Sequence, residues 1–493
     1  MKKEKIKTGI LIALLLNTLI LTANVWFGSG LWPHGYDFFI SLPNRAFFSQ
    51  LFRKNQPYVS PMETLARPQR LVVTNGANRA VYYNSDASYA PFYESVKDFF
   101  YVTLADESYI SMATEVQDAE WYDVLRNDEI LDTRSVYVEY STAFSPKLFA
   151  QITGIAATWL ENRVSSVRDF IIAPVGAEGE DMLLYIREYD TGRIMKFYMQ
   201  YPGKTALYQK IASLSEDANY SYAFELNLHD SQVGIGEGVE QKVVMEPLIL
   251  ISPRKTESVT ITAENPITPS MDMDALLSVF RYRQRAVNRY VTTDGTTHFV
   301  ENYGSIHIYP DGVVEYYAVE KDKGVSILPA GASAATLYDS LNGAVGFAAQ
   351  VWSSLVPDIP FDALVEAERL EESPAGYLFT LDYYMEGTRI ITAAQSETHS
   401  PLQHAVEIEV QDGRIVRYRH FIRRFTATDT KVLNPAMLEA IDGIYAQLAN
   451  EEEKIQITDL FLGYIENATD AEKFPVWCAK LAGKESLVYY TAS

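Results

Sequence analysis

The sequence predicts an α+β protein in which an N-terminal transmembrane helix precedes a multi-domain ectodomain of antiparallel sheets packed with helices. Three observations lead to this prediction. A lysine-rich stub runs into an apolar stretch over residues 8–28. Short runs with strand alternation are separated by Asp-Gly turns, which are typical of antiparallel hairpins. Segments with helical spacing separate these groups of strands.

The apolar stretch is long enough to cross a membrane, because about 20 helical residues span a hydrocarbon core. Four lysines precede it and the next basic residue is Arg45, so the positive-inside bias places residues 1–7 in the cytoplasm. We therefore expect a single-pass protein of the cell membrane with an extracytoplasmic ectodomain. A cleaved signal peptide is the alternative, although no small-x-small site is evident near Ala23.

Composition limits the kinds of ligand and the compartment. The 493 residues carry a net charge of −22, which becomes −25 without residues 1–7 because these hold four lysines and Glu4. Nucleic acid and anionic lipid are therefore not expected ligands of the ectodomain. Cys478 is the single cysteine and cannot form an intrachain disulfide, so we expect it to be a small buried side chain. An exported chain without disulfides suits a bacterial surface.

Prolines and glycines divide the chain into segments. Pro-rich stretches after the apolar segment and at 253–270 read as linkers. The predicted organisation is a cytoplasmic stub (1–7), a transmembrane helix (8–28), a juxtamembrane connector (29–64), an N-terminal α+β domain (65–255), a central α+β domain (256–430) and a C-terminal α+β module (431–493).

Within the N-terminal domain, strands and helices alternate. Ser145 and Pro146 supply an N-cap and a first-turn proline for one of the helices. The predicted elements are a strand at 70–74, a helix at 91–104, a strand at 136–140, a helix from 146 to about 163, and strands at 169–173, 183–188 and 193–201.

Later segments repeat a helix followed by antiparallel strands. The predicted elements are a helix at 271–285 capped by Ser270, a hairpin of 305–309 and 313–319, a helix at 334–355 opened by Ser333, a hairpin within 405–425, a helix at 435–452, and strands at 455–466, 475–477 and 487–490.

The hairpin within 405–425 is the clearest one. A three-residue loop ending at Gly413 predicts that Val406 pairs with Tyr418, and Glu407 with Arg417. The same register places His404 opposite His420, which leaves a two-histidine metal site open. Solvated or half-buried sheet positions are the alternative interpretation of these histidines.

Other chemistry is not evident in the sequence. The glycine run 234–238 lacks a following helix and contains Glu237, which would repel a phosphate. Carboxylates are too numerous for any pair to indicate glycoside hydrolysis. We therefore expect no enzyme activity, no cofactor and no catalytic or metal-binding residue.

The chain contains short motifs at 68–73, 276–280, 303–309, 314–317, and at Tyr464 followed by 475–477. Together with the order of elements, they resemble the YycH family and its relative YycI. Members of this family are membrane-anchored auxiliary regulators of the essential cell-wall sensor histidine kinase of low-GC Gram-positive bacteria. The insert 234–240 and the helix 334–355 depart from the pattern. The resemblance implies a protein that binds and tunes a sensor histidine kinase together with a YycI-like partner.

The resemblance also implies that the membrane helix contacts other proteins. Asn17, Leu21 and Asn24 share one helical stripe and Thr18 lies beside it. A side-chain amide in hydrocarbon needs a partner, so we expect this stripe to dock on another transmembrane helix. The alternative is that Asn24 reaches the interface and Asn17 is tolerated.

Two other functions remain open at this stage. A cell-surface protein that binds peptide or glycan would need an exposed cleft rich in tyrosine, and 33 tyrosines allow one. An exported hydrolase would need a convergent catalytic cluster, which the sequence does not display.

Overall fold

In the computed structural model the described residues are 65–490, with gaps at 77, 85–87, 127–133, 215–219, 231–241, 253, 269, 283–286, 329–335, 360, 362, 370–375, 386–387, 394–397, 450–452, 467–471 and 485–486. The predicted stub, transmembrane helix and connector lie outside them. All described helices and strands belong to one compact unit formed by residues 58–327 and 335–493. Among the described residues, no helix has both the length and the apolar character needed to cross a membrane.

The predicted α+β class is confirmed for the described part of the chain. Its α-helices are α1 (Tyr89–Thr103), α2 (Asp118–Leu125), α3 (Pro146–Thr153), α4 (Lys204–Ala212), α5 (Asp274–Val279), α6 (Leu337–Leu355) and α7 (Met437–Leu448). Short 3₁₀ helices cover Glu107–Tyr109, Thr158–Asn162 and Lys321–Lys323.

The strands fall into an N-terminal and a C-terminal group. The first group is β1 (Arg70–Asn75), β2 (Asn78–Tyr83), β3 (Ile110–Val116), β4 (Arg134–Phe144), β5 (Val167–Pro174), β6 (Asp181–Arg187), β7 (Ile194–Gln200), β8 (Ser221–Tyr222), β9 (Val243–Met245), β10 (Leu250–Ile251) and β11 (Glu257–Glu264). The second group is β12 (Asn288–Val291), β13 (Thr297–Glu301), β14 (Gly304–Ile308), β15 (Val313–Ala318), β16 (Val325–Ser326), β17 (Ala363–Arg369), β18 (Gly376–Met385), β19 (Thr388–Thr392), β20 (Val406–Gln411), β21 (Arg414–Phe421), β22 (Arg424–Leu433), β23 (Ile455–Glu466), β24 (Glu472–Lys473), β25 (Pro475–Leu481) and β26 (Val488–Tyr490).

An antiparallel seven-stranded sheet with the order β2-β1-β4-β5-β6-β7-β3 occupies the N-terminal part. Because side chains alternate along a strand, its two faces bury different residues. One face packs on α1 and α3, where Phe100, Phe149 and Phe170 form a ring cluster. The opposite face is covered by Trp121 of α2 and by part of the segment 220–251.

Fourteen of the described strands form a second, larger sheet. Its main path is β12-β13-β14-β15-β21-β20-β18-β19-β23-β25-β26, and β16, β17 and β9 pair beside β21, β18 and β23. Helix α6 covers its inner face, where Phe347 lies 5.2 Å from Tyr418 between ring centres. Smaller sheets have the orders β22-β11-β24 and β10-β8.

Strand β23 joins distant parts of this architecture. It pairs in parallel with β9 through 455–457 and with β19 through 463–466, while β25 occupies its other edge. The strands β9 and β19 therefore lie end to end along one edge of β23. The predicted boundary at 430–431 falls inside β22, which pairs with β11.

Three predicted helices begin or end at other residues. Helix α3 ends at Thr153, not near 163, because Gly154 adopts a left-handed φ of 73° that suits a residue without a Cβ. Helix α5 spans Asp274–Val279 rather than 271–285, and Arg281 beyond it has a φ of 62°. Helix α6 starts at Leu337, because Thr336 and Asp339 form a capping box.

The hairpin of β20 and β21 forms as predicted, but the predicted register is wrong by two residues. Val406 pairs with His420, and Glu407 with Arg419. The loop has two residues instead of three, since Asp412 and Gly413 both adopt a positive φ, of 48° and 69°. The shorter loop shifts the register by one residue, and an irregularity between Glu409 and Val410 adds the second.

A buried arginine fixes the segment 220–225 on the seven-stranded sheet. The side chain of Arg79 on β2 has no solvent exposure. Its Nη1 and Nη2 donate to the Glu225 carboxylate at 2.5 and 3.0 Å, and Nη1 also donates to the Tyr220 carbonyl. The guanidinium carbon lies 4.4 Å from the centre of the Tyr222 ring. The charge of Arg79 is therefore neutralised only when the segment 220–225 packs on the seven-stranded sheet.

We predict that Arg79→Met lowers the free energy of unfolding by about 3–5 kcal/mol, because it leaves Glu225 without its cation. The double variant with Glu225→Met should lose less than the two single losses added together, since it removes both charges. Urea unfolding of the full chain measures all three variants. Strictly additive losses would show that the two side chains are not coupled.

Candidate functional site

The predicted partner-binding residues Asn17, Thr18, Leu21 and Asn24 lie outside the described residues, so this site stays a prediction. Within the described part of the chain, one face of the seven-stranded sheet carries several neighbouring ionisable groups with shifted pKa values. These groups form the candidate site within the described residues.

A row of polar side chains crosses five neighbouring strands of this sheet. Tyr83 pairs with Arg70, Arg70 with Glu139, Glu139 with Asp169, and Asp169 with Arg187. Residues that are direct partners share a face, so these side chains lie side by side. We call Arg70, Glu139, Asp169 and Arg187 the charged row.

Ion pairs hold the middle of the charged row together. The Glu139 carboxylate is paired with Arg70 through one oxygen and accepts from Arg168 Nη2 at 2.8 Å through the other. Arg168 Nε also lies 3.8 Å from Asp169 Oδ1. Because the Glu139 side chain is only 9% exposed, its charge depends on these two arginines.

The two carboxyl groups of the row have pKa values that move in opposite directions. Burial would raise the pKa of Glu139, but the positive charges of Arg70 and Arg168 outweigh burial and hold that pKa below its ordinary value. Burial raises the pKa of Asp169 to about 6, against the opposing effect of Arg168. Asp169 therefore changes its charge close to neutral pH.

Two carboxylates face the charged row, Glu246 just after β9 and Asp459 on β23. Glu246 Oε1 lies 4.0 Å from Arg187 Nη1, and its backbone N–H donates to Ile457 on β23. Asp459 lies on the stretch of β23 between its pairings with β9 and β19. This residue is exposed to solvent, and its carboxyl group lies within electrostatic range of Arg70. We call the space between the row and these two carboxylates the charged cleft.

The cleft brings arginine and carboxylate side chains of two sheets together. Carboxyl groups with separated pKa values can serve as an acid and a base. Here, however, both oxygens of Glu139 already pair with arginines, so neither is open to a substrate. The arrangement is suited to electrostatic contact between the sheets, and its net charge depends on whether Asp169 is protonated.

The histidines singled out from the sequence are held apart. His404 Nδ1 lies 3.1 Å from Asp382 Oδ2, and His399 Nε2 lies 2.7 Å from Asp311 Oδ2. His420 is fully buried between the hydroxyl groups of Tyr383 and Tyr418, at 2.5 and 2.6 Å. The facing pair of His404 and His420 is therefore wrong, because the register of the hairpin is shifted.

Burial lowers the pKa of His420 to about 3, so this ring stays neutral at physiological pH. Among the described residues, no cluster of three or more His, Cys, Asp or Glu side chains could hold a metal ion.

Cys478 is buried as predicted, with no exposed surface. Burial raises the pKa of its thiol to about 12. Since the thiolate is the reactive form, this cysteine is inert at neutral pH.

The charged row was not predicted from the sequence, although two strands contain charged residues that indicate it. Glu139 interrupts the apolar run Val136–Val138 and Tyr140 inside a strand. Arg168 and Asp169 likewise stand next to the apolar 170–173. A charge within an apolar strand indicates a paired buried group, but its partner depends on strand order, which the sequence leaves open.

The described elements define an α+β protein whose mainly antiparallel sheets meet at the charged cleft. The structure is similar to the crystal structure of YycH from Bacillus subtilis, with a TM-score of 0.55 and 11% sequence identity. The match covers 89% of this chain and 98% of that chain. The YycH fold implied by the resemblance is thus confirmed. No protein-family model and no curated protein sequence matches the chain.

We predict that Asp169→Asn abolishes a pH dependence of stability. The raised pKa of Asp169 favours its neutral form, so its contribution is present below pH 4 and is lost as the pH rises through about 6. Wild type should therefore lose up to about 3 kcal/mol relative to the variant between pH 4 and pH 7.

Urea unfolding of the full chain across this pH range measures the difference. Asp190→Asn, in the exposed turn between β6 and β7, is the matched control and should run parallel to wild type. If Asp169→Asn also runs parallel to wild type, the carboxyl group does not titrate in this range.

Proposed function

We propose that this chain is a membrane-anchored, extracytoplasmic regulator that binds a two-component sensor histidine kinase and modulates its activity, together with a YycI-like protein. The observation that carries the proposal is the match of its fold to 98% of the YycH chain. The short sequence motifs that resemble the YycH family occur in both halves of the chain and support the same proposal.

The N-terminal sequence supports the membrane part of the proposal. A basic stub followed by the apolar residues 8–28 is typical of an anchor with a cytoplasmic N-terminus. A helix in this position would place Asn17 and Asn24 where they contact the transmembrane helix of a kinase.

The chemistry of the described residues supports binding rather than catalysis. The thiol of Cys478 is buried and the imidazole of His420 is enclosed by two tyrosines. Both oxygens of Glu139 pair with arginines. We propose that the protein acts on its partners by contact and carries out no reaction of its own.

Such a regulator changes kinase activity only if it binds one signalling state more tightly than another. A difference of about 1–3 kcal/mol in binding free energy is enough to shift the populations 5- to 150-fold. The charged cleft lies between two sheets, so a small rearrangement there could alter how the ectodomain presents itself to a partner.

The tyrosines argue against a ligand-binding protein with an aromatic cleft. Several tyrosine side chains in the described residues are buried in the core. Those with less than 2% exposure are Tyr137, Tyr140, Tyr185, Tyr222, Tyr316, Tyr418 and Tyr464. These buried rings are not available to a peptide or glycan, so they do not support that alternative.

A crosslinked pull-down from native membranes tests the proposal. The full-length protein is compared with a version in which a leucine helix replaces residues 8–28, and partners are identified by mass spectrometry. A histidine kinase and a second anchored protein should be recovered with the native segment and lost with the replacement. Failure of both versions to recover a kinase would contradict the proposed function.

We predict that Asn17→Leu with Asn24→Leu weakens the membrane complex, because each interhelical amide bond contributes about 0.6–2 kcal/mol. The loss of both should reduce recovery of the kinase about tenfold or more. Leu15→Ala with Leu19→Ala, on the opposite helical stripe, is the matched control and should keep the complex. Unchanged recovery with the asparagine variant would exclude this stripe as the contact.

A further inference from the structure

A second row of side chains crosses the outer face of the large sheet. Direct strand partners place Tyr290, His298, His307, Glu315, Arg419 and Glu407 side by side on β12, β13, β14, β15, β21 and β20. The row is independent of the charged cleft and of the proposed kinase contact.

One half of this row, formed by Glu315, Arg419 and Glu407, is held by hydrogen bonds within the protein. Arg419 Nε donates to Glu315 at 2.7 Å and Nη1 donates to Glu407 at 2.9 Å. Tyr309 and Tyr317 donate their hydroxyl groups to the same Glu315 carboxylate. The polar atoms of this half are therefore occupied.

The other half of the row contains two histidines that lie against each other. The ring centres of His298 and His307 are 4.4 Å apart, and both side chains are partly exposed. Among the described residues, neither ring has a hydrogen-bond partner. His399, His404 and His420, in contrast, each bind a protein oxygen.

Neighbouring rings hold this histidine pair in place. Tyr290 stacks on His298 at 4.7 Å with an interplanar angle of 4°. His307 contacts the Tyr317 ring at 5.9 Å between centres. A pair of imidazoles whose orientation is set before binding loses less entropy when it takes up a ligand.

We propose that His298 and His307 form a bidentate site for a divalent transition-metal ion, with Cu²⁺ preferred and solvent completing its coordination. Imidazole nitrogen suits copper, nickel and zinc, and Cu²⁺ binds such ligands most tightly. With a metal–nitrogen distance of about 2 Å, two imidazoles bound at a right angle place their ring centres about 4.5 Å apart. The observed 4.4 Å fits this tetragonal arrangement, which Cu²⁺ favours.

Two protein ligands on adjacent strands would tie β13 to β14 across their hairpin. The next residue in the row, Glu315, is held by Arg419 and two tyrosines, so it adds no ligand. A site of two imidazoles should therefore bind with a Kd of the order of micromolar, weaker than a structural site with four ligands.

Titration of the full chain with CuCl₂ in a non-coordinating buffer tests the site, followed by calorimetry and by electron paramagnetic resonance. Wild type should bind one ion with two nitrogen ligands. His298→Ala and His307→Ala should each weaken binding about tenfold or more, and the double variant should lose the two-nitrogen signal. Circular dichroism checks that the variants keep their fold.

His229→Asn is the matched control, because it removes another histidine and leaves the pair intact. It should bind Cu²⁺ as wild type does. Binding by the double variant that equals wild type, or loss of binding in the His229 variant alone, would overturn the proposal.

Discussion

The need to neutralise one buried charge sets the arrangement of the two main sheets. Arg79 has no access to solvent, so its guanidinium must find an anion inside the protein. Glu225 supplies that anion and brings the segment 220–225 onto the seven-stranded sheet. The chain then continues into β9, which pairs with β23. One stretch of chain thus contacts both sheets, and Asp459 of β23 lies near the charged row.

Both sheets neutralise the charged side chains on their faces in the same way. In each case an anion forms ion pairs with arginines on neighbouring strands, as Glu139 does with Arg70 and Arg168, and as Glu315 does with Arg419. Such pairs contribute little net stability over an apolar core, but removal of one member is costly. They therefore fix strand order and register more than they stabilise the fold.

The sequence predicted the elements well where local chemistry decides them. Alternation located the β20–β21 hairpin, and Ser145 located the start of α3. It failed at the turn, where Asp412 adopts a positive φ and shortens the loop, and at the irregularity between Glu409 and Val410. The charged row could not be predicted, because Glu139 and Asp169 meet only through a strand order that depends on the whole fold.

The position of β23 near the end of the chain affects how the protein folds during synthesis. The edges of β9 and β19 stay open until β23, near the end of the chain, has been synthesised. Parallel pairing between such distant segments is slow, since a long loop must close first. A nascent chain thus carries the open edge of β9 through much of the synthesis of its second half, and that of β19 until β23 follows. This sheet is therefore completed only when the C-terminal part of the chain has been made, and not when an early domain folds. Its open strand edges are then no longer exposed to proteases or to aggregation.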